Sequence, residues 1–141
     1  MQKMIKRLLL TAVAAGAAIA TGAASAAQDI KIGVLTPFTG PFTGIGQSVK
    51  TSLELSAKEI NDAGGVLGRK LVLVYEDGES NPAVATQRAE KLFQVDKVDF
   101  LTGTVNSAST LAVAQLAERN SKLAATTVSF ADSITTDKCS P

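Results

Sequence analysis

IKIGVLTPFTGPFTGIGQSVKTSLELSAKEINDAGGVLGRKLVLVYEDGESNP, residues Ile30 to Pro82, decides the fold by the order of its residue types. Ile30 to Thr36 is a nearly continuous apolar run, as expected of a strand covered on both faces. Thr36 to Gly46 carries two prolines and three glycines, which predicts a loop. From about Gln47 to Ala63, Val49, Leu53, Ala57 and Ile60 recur with a helical period. Gly64 and Gly65 supply a left-handed helix stop. Leu71 to Tyr75 is a second strand, with Asp77-Gly78 as its exit. Strand, helix, strand in this order is a βαβ unit, which sets two parallel strands with their C-terminal ends on one edge.

Downstream the alternation continues. Ser80 or Asn81 can cap a second helix, Pro82 suits its first turn, and Ala85, Ala89, Leu92 and Phe93 form its buried stripe. Val98 to Thr102 is a third strand and Gly103 to Asn106 its exit turn. Ser107 is then expected to cap a third helix running to about Asn120. Either Leu111, Ala114 and Ala117 or Val113 and Leu116 face inward. Leu123 to Val128 is a fourth, alanine-rich strand, and Ser129 to Pro141 is irregular. The plan is an α/β fold with a doubly wound parallel sheet. Four strands are few for such a sheet, so the chain is expected to be the front of a longer protein.

Residues 1–26 have another purpose. Lys3, Lys6 and Arg7 precede the short apolar run Leu8 to Ala20, and Ala24-Ser25-Ala26 offers a small-x-small cleavage pattern. They predict a cleaved export signal and a periplasmic location. Residues 27–141 keep 11 of the 14 basic residues and all 13 acidic ones, a net charge of −2. The basic residues are scattered, which argues against nucleic acid. Histidine is absent and Cys139 is the sole cysteine, so these residues hold neither a His/Cys zinc site nor a His-based catalytic dyad. One cysteine cannot close an internal loop; Cys139 is a free thiol or pairs outside this sequence.

The strand exits define the candidate site, because open α/β sheets bind ligands at that edge. Its four loops, Thr36–Gly46, Asp77–Asn81, Gly103–Ser107 and Ser129–Ser133, offer mainly hydroxyls and amides, including Thr43, Thr104, Asn106, Ser107 and Ser129. Helix N-termini point there too and favour an anion such as a carboxylate. Ser107 either forms a carboxylate cradle with the following amides or only caps its own helix. Gly40, Gly44 and Gly46 do not fit a dinucleotide fingerprint and no phosphate-binding P-loop occurs, so no cofactor is expected. Glu76 and Asp77 are strand neighbours and point to opposite faces, which disfavours a carboxylate pair or a metal site. Phe38 and Phe42 are lip or core residues, Phe93 and Phe100 read as core, and Phe130 lies on an edge loop.

IKIGVLTPFTGPFTGIGQ, KEINDAGGVLGRKLVLVYED, SNPAVATQRAEKL and FLTGTVNSASTLAV, in this order and spacing, resemble the type I periplasmic substrate-binding proteins of ABC transporters for branched-chain amino acids. The likeness runs from about Asp29 to Thr135. It implies two α/β lobes closing on a small ligand, residues 27–141 being the N-terminal lobe. It also implies that Ser107 receives a ligand carboxylate, that a carbonyl near Val128 and a donor at Phe130 add to the site, and that ABC permease subunits are the partners. Phe130 departs from the Ser/Thr-type donor expected for an α-amino acid, so a larger or aromatic solute is also accommodated. The cysteines of leucine-binding relatives are missing from this lobe. The expected function is capture of a small carboxylate-bearing solute by a monomer without a catalytic step. A sensor of the same fold and a secreted flavodoxin-like enzyme are the alternatives.

Overall fold

The computed structural model describes residues 28–136. The export signal read over 1–26 and the thiol of Cys139 lie outside the described residues. Strand β1 (Ile30–Thr36) is followed by helix α1 (Thr43–Asp62), β2 (Leu71–Asp77) and α2 (Pro82–Gln94). Then come β3 (Phe100–Thr102), α3 (Ser107–Arg119), β4 (Leu123–Ala125) and a 3₁₀ turn at Asp132–Ile134. The four strands are all parallel in the order β2-β1-β3-β4. The α/β doubly wound sheet read from the sequence is therefore the observed fold.

The main core lies between the sheet and helices α2 and α3. Leu35, Ala85, Ala89, Leu92, Phe93, Val98, Leu101, Val113, Leu116 and Ala117 form one buried cluster there. The α2 stripe is the expected one, and on α3 Val113 and Leu116 are the inward residues, joined by Ala117. Gly33 is part of this packing, because a Cβ there would meet Leu92 at 3.1 Å and Val98 at 3.2 Å. Helix α1 packs against β1 and β2 and covers them less completely. Of its predicted apolar face, Ala57 is buried, Val49 and Leu53 are half-buried and Ile60 is exposed. Phe100 is likewise half-buried, where a core position was expected.

Four boundaries differ from the sequence reading by two residues or more; β2 runs on to Asp77, where Tyr75 was expected, and the other three have identifiable contacts behind them. Helix α1 starts at Thr43, inside the expected loop, because Gly46 fits where no side chain could: a Cβ there would sit 1.9 Å from the Pro37 carbonyl oxygen. Strand β3 starts at Phe100. Val98 is fully buried, yet its amide closes the turn onto the Leu92 carbonyl (3.1 Å), and Lys97 takes a left-handed φ of 57°. Strand β4 ends at Ala125, where Val128 was expected, because the next residues turn onto β3's exit. The hydroxyl of Thr126 and the amide of Thr127 both donate to the Thr104 carbonyl, at 3.1 and 3.4 Å.

Candidate functional site

The strand order reverses direction between β1 and β3: the chain moves to β2 on one side and returns over β1 to β3 on the other. Diverging connections leave a crevice at such a switch point, at the C-terminal ends of the strands. Leu35, Thr36 and Pro37 from β1's exit and Thr104, Val105 and Asn106 from β3's exit line one here. Gly78 and Ser80 of the β2–α2 turn close it.

Hydrogen bonds tie the four edge loops together in sequence. Asp77 joins the first two. Its carboxylate accepts from the Phe38 amide (2.9 Å), the Thr39 hydroxyl (2.7 Å) and the Glu79 amide (2.9 Å). Burial pushes this carboxyl's pKa up, but the donors at Glu79, Thr39 and Phe38 outweigh it and leave the group below its ordinary value. Glu76 points the other way and pairs with Lys91 and Arg88 of α2. The alternation of strand side chains thus separates the two carboxylates. Asn106 links the second and third loops by donating from Nδ2 to the Ser80 carbonyl at 3.4 Å.

Asn106, and not Ser107, caps α3. Its extended backbone (φ −80°, ψ 128°) lets Oδ1 accept from the amides of Ala108 (2.8 Å) and Ser109 (3.3 Å). Those amides were expected to help cradle an anion, and their pairing with Asn106 corrects that picture. Ser107 is the first helical residue, half-buried, with its side chain free for another task. Its Oγ accepts the Phe130 amide at 3.2 Å, joining the third loop to the fourth. A hydroxyl has one proton and two lone pairs. Accepting from Phe130 leaves the Ser107 proton available to an incoming acceptor.

Thr104 and Ser129 turn inward. Thr110 Oγ1 donates to Thr104 Oγ1 at 3.0 Å and is also bonded to the Ser129 hydroxyl; Thr126 Oγ1 and Ser129 Oγ are in hydrogen-bond contact at 2.9 Å. This hydroxyl chain braces the fourth loop under Ser107. Val128 is half-buried beside it, in the loop beyond β4. The Phe130 ring is 86% exposed. Thr43 stands apart, its hydroxyl donating to the Gly40 carbonyl at 2.7 Å within its own loop. Phe38 packs edge-on against Tyr75 with ring centroids 6.1 Å apart, while Phe42 is exposed. Thr110 and Thr126 escaped the sequence reading. Thr110 follows Asn106 by four residues, one helical turn, and that spacing was the signal that could have found it.

Among the described residues no three His, Cys, Asp or Glu side chains gather as metal ligands. No helix among them is long and apolar enough to cross a membrane. The arrangement is a polar, hydroxyl-rich edge with exposed aromatic residues at Phe42 and Phe130, suited to holding a small molecule.

Comparison with known proteins agrees with that class. Residues 29–141 match the family model described as periplasmic binding protein, and the chain belongs to this family. It is 40% identical over 116 residues to the Leu/Ile/Val-binding protein homolog 7 of Brucella suis biovar 1, a match covering 82% of this chain and 28% of that relative. Among solved structures it resembles an ABC transporter solute-binding protein of Rhodopseudomonas palustris in complex with benzoate. That likeness has 33% identity and a TM-score of 0.69, and covers 76% of this chain and 29% of the other. It also resembles a branched-chain amino acid transporter substrate-binding protein of Streptococcus pneumoniae in complex with isoleucine. Here the identity is 26% and the TM-score 0.74, with 78% and 32% of the two chains covered. The chain therefore spans about a third or less of the length of these relatives.

Proposed function

We propose that residues 27–141 form the N-terminal lobe of a two-lobe periplasmic binding protein that captures a small aromatic carboxylate and delivers it to an ABC permease. Ser107 anchors the carboxylate by donating its hydroxyl proton, and Phe130 lies against the ring of the solute. Thr104, Ser129, Thr126 and Thr110 hold these two residues in place, and Asn106 fixes the start of α3. Val128 borders the same loop, and Thr43 serves the rim of the first loop. The process is binding and release, with no covalent step.

The observation that carries this reading is the Ser107–Phe130 pair. One hydroxyl both fixes the Phe130 backbone and keeps a proton to give, while Phe130 itself is 86% exposed. An exposed ring at a polar, braced edge is what a ligand with an apolar body and a charged end requires. Benzoate in the R. palustris relative is a ligand of this kind. The Leu/Ile/Val-binding name of the Brucella relative supports a second reading, an aliphatic amino acid held by the same serine.

Calorimetric titration of the full-length protein with benzoate and with isoleucine separates the two. Benzoate is expected to bind, and Ser107→Ala is expected to weaken it roughly ten- to a hundredfold, the worth of a hydrogen bond to a charged group. Binding of isoleucine alone would reject the aromatic reading and keep the carboxylate anchor. Affinity unchanged by Ser107→Ala would reject the anchor itself.

A further inference from the structure

Phe38 and Tyr75 have no part in the scheme above, yet they decide where the first edge loop lies. Beyond Pro37 this loop is open to solvent: Thr39, Gly40, Pro41 and Phe42 are exposed, and Phe38 is half-buried. The contacts that hold it to the strands lie on the β2 side of β1. Tyr75 and Asp77, two residues apart on β2, present their side chains on one face. Asp77 accepts from the Phe38 amide and the Thr39 hydroxyl, and the Tyr75 ring meets the Phe38 ring edge-on at an interplanar angle of 67°. A Cβ on Gly40 would lie 3.8 Å from the Glu79 carbonyl oxygen, so the loop reaches over β2's exit. Among the described residues no hydrogen bond runs from residues 38–43 to β3's exit or to the fourth loop. The crevice between β1 and β3 is lined by Thr36 and Pro37, and by no residue from Phe38 to Thr43.

Tyr75 is itself clamped from α1. Lys50 Nζ stands 5.5 Å from the ring centroid, within cation–π range, and the Tyr75 hydroxyl donates to Glu54 at 3.3 Å. Lys50 and Glu54 pair at 3.8 Å, one helical turn apart. Burial, and then Glu54, push the phenol pKa up to about 12, so the hydroxyl keeps its proton at any physiological pH. We propose that Tyr75 is a positioning residue for ligand capture: its ring latches the first edge loop onto β2 and keeps it clear of the β3 side of the edge, where Ser107 and Phe130 receive the solute. The consequence for capture rests on the proposed function, whereas the latch itself is measurable without a ligand. Phe38, Pro41 and Phe42 are bulky and apolar. Released, the loop can fall over the neighbouring strand exits and compete with the solute. Apparent affinity then drops in proportion to the fraction of molecules whose edge stays open.

Amide hydrogen exchange of the ligand-free full-length protein and calorimetric titration with benzoate test the two halves on the same variants. The Leu92 amide in the core serves as the reference for global opening. Tyr75→Phe keeps the ring and loses only an exposed bond to Glu54, so exchange at the Phe38 amide and the benzoate Kd should both stay within about twofold of wild type. Tyr75→Ala removes the ring pair, and both should rise about three- to tenfold. Phe38→Ala breaks the same pair from the loop side, should give the same shifts, and decides the matter if Tyr75→Ala does not fold. Combining the two should add little, because one substitution already opens the pair. Exchange unchanged by loss of either ring would overturn the latch, as would equal losses in Tyr75→Phe and Tyr75→Ala. Quickened exchange with an unchanged benzoate Kd would overturn the positioning role. Wild-type protein that fails to bind benzoate would overturn the aromatic reading of the function instead, and exchange alone would then decide the latch.

Discussion

Replacing Asp77 should separate the first edge loop from the second, and its size can be worked from three bonds. In Asp77→Ala the Phe38 amide, the Thr39 hydroxyl and the Glu79 amide all lose their acceptor. The bonds to Thr39 and Glu79 are exposed, so water replaces the carboxylate and each loss costs about 0.5–1 kcal/mol. The Phe38 amide is partly buried and is left short of a partner, at about 1–2 kcal/mol. The total is about 2–4 kcal/mol. Asp77→Asn keeps Oδ1 for both amides but loses the charge assistance and turns the Oδ2 that accepts from Thr39 into an NH2, together about 1–2 kcal/mol. The pH dependence follows from the lowered pKa of this carboxyl. A folded-state pKa below the unfolded value of about 3.9 contributes stability that is present above that value and is lost as pH falls through the folded pKa. Urea unfolding at pH 7 and through the acid range measures both effects. Asp77→Ala should be the less stable variant at pH 7, and Asp77→Asn should lack this part of the acid loss. Equal destabilisation by Ala and Asn, or an unchanged acid limb in Asn, would refute the argument.

Gly46→Ala places a methyl 1.9 Å from the Pro37 carbonyl oxygen and should cost about 1–3 kcal/mol by urea unfolding. Gly44→Ala, two residues earlier with nothing within 4 Å, should be neutral or gain up to about 1 kcal/mol of helix propensity. Asn106→Ala removes the α3 cap and the contact to Ser80, and should lower stability by about 1–2 kcal/mol in the same assay. Phe130→Ala changes a ring that is 86% exposed, so unfolding should shift by no more than about 0.5 kcal/mol, while calorimetric affinity for benzoate falls about tenfold or more.

What the sequence disclosed and what it hid divide along local and non-local lines. The α2 stripe and its start were legible because Asn81, Pro82 and the Ala85-Ala89-Leu92-Phe93 period act within one turn of each other. The Thr43 start of α1 was not, because Gly44 and Gly46 read locally as loop residues and only the approach of Pro37 explains Gly46. Asn106 and Ser107 are both good caps, one residue apart. Propensity cannot choose between them; the extended backbone at Asn106 does. That single-residue offset changes the chemistry, since it releases the Ser107 hydroxyl toward Phe130. The hydroxyl chain from Thr104 through Thr110 and Ser129 to Thr126 was out of reach, because it joins residues from β3's exit, α3 and the loop beyond β4. The parallel α/β class was legible because strands and helices alternate along the chain, whereas the strand order β2-β1-β3-β4 came from the structure.

On the proposed reading, Ser107 and Phe130 divide the ligand between them, and their energies show why both are needed at this edge. A hydrogen bond from Ser107 to a carboxylate is worth about 1.5–3 kcal/mol, but the carboxylate gives up water to receive it. Serine alone therefore selects for charge with modest affinity. Covering the Phe130 ring removes an aromatic side chain from water, about 1.5–3 kcal/mol more. Each contribution amounts to roughly ten- to a hundredfold in Kd. The ring's share is realised only when something apolar lies over it. A carboxylate without an apolar body, such as acetate, collects the first contribution and misses the second. Because the Phe130 amide is bonded to Ser107 Oγ, the two contributions are joined through one atom. A solute that drew Ser107 away from Phe130 would loosen the ring it needs. The preferred ligand is therefore one whose charged end and flat apolar body fit both residues as they already stand.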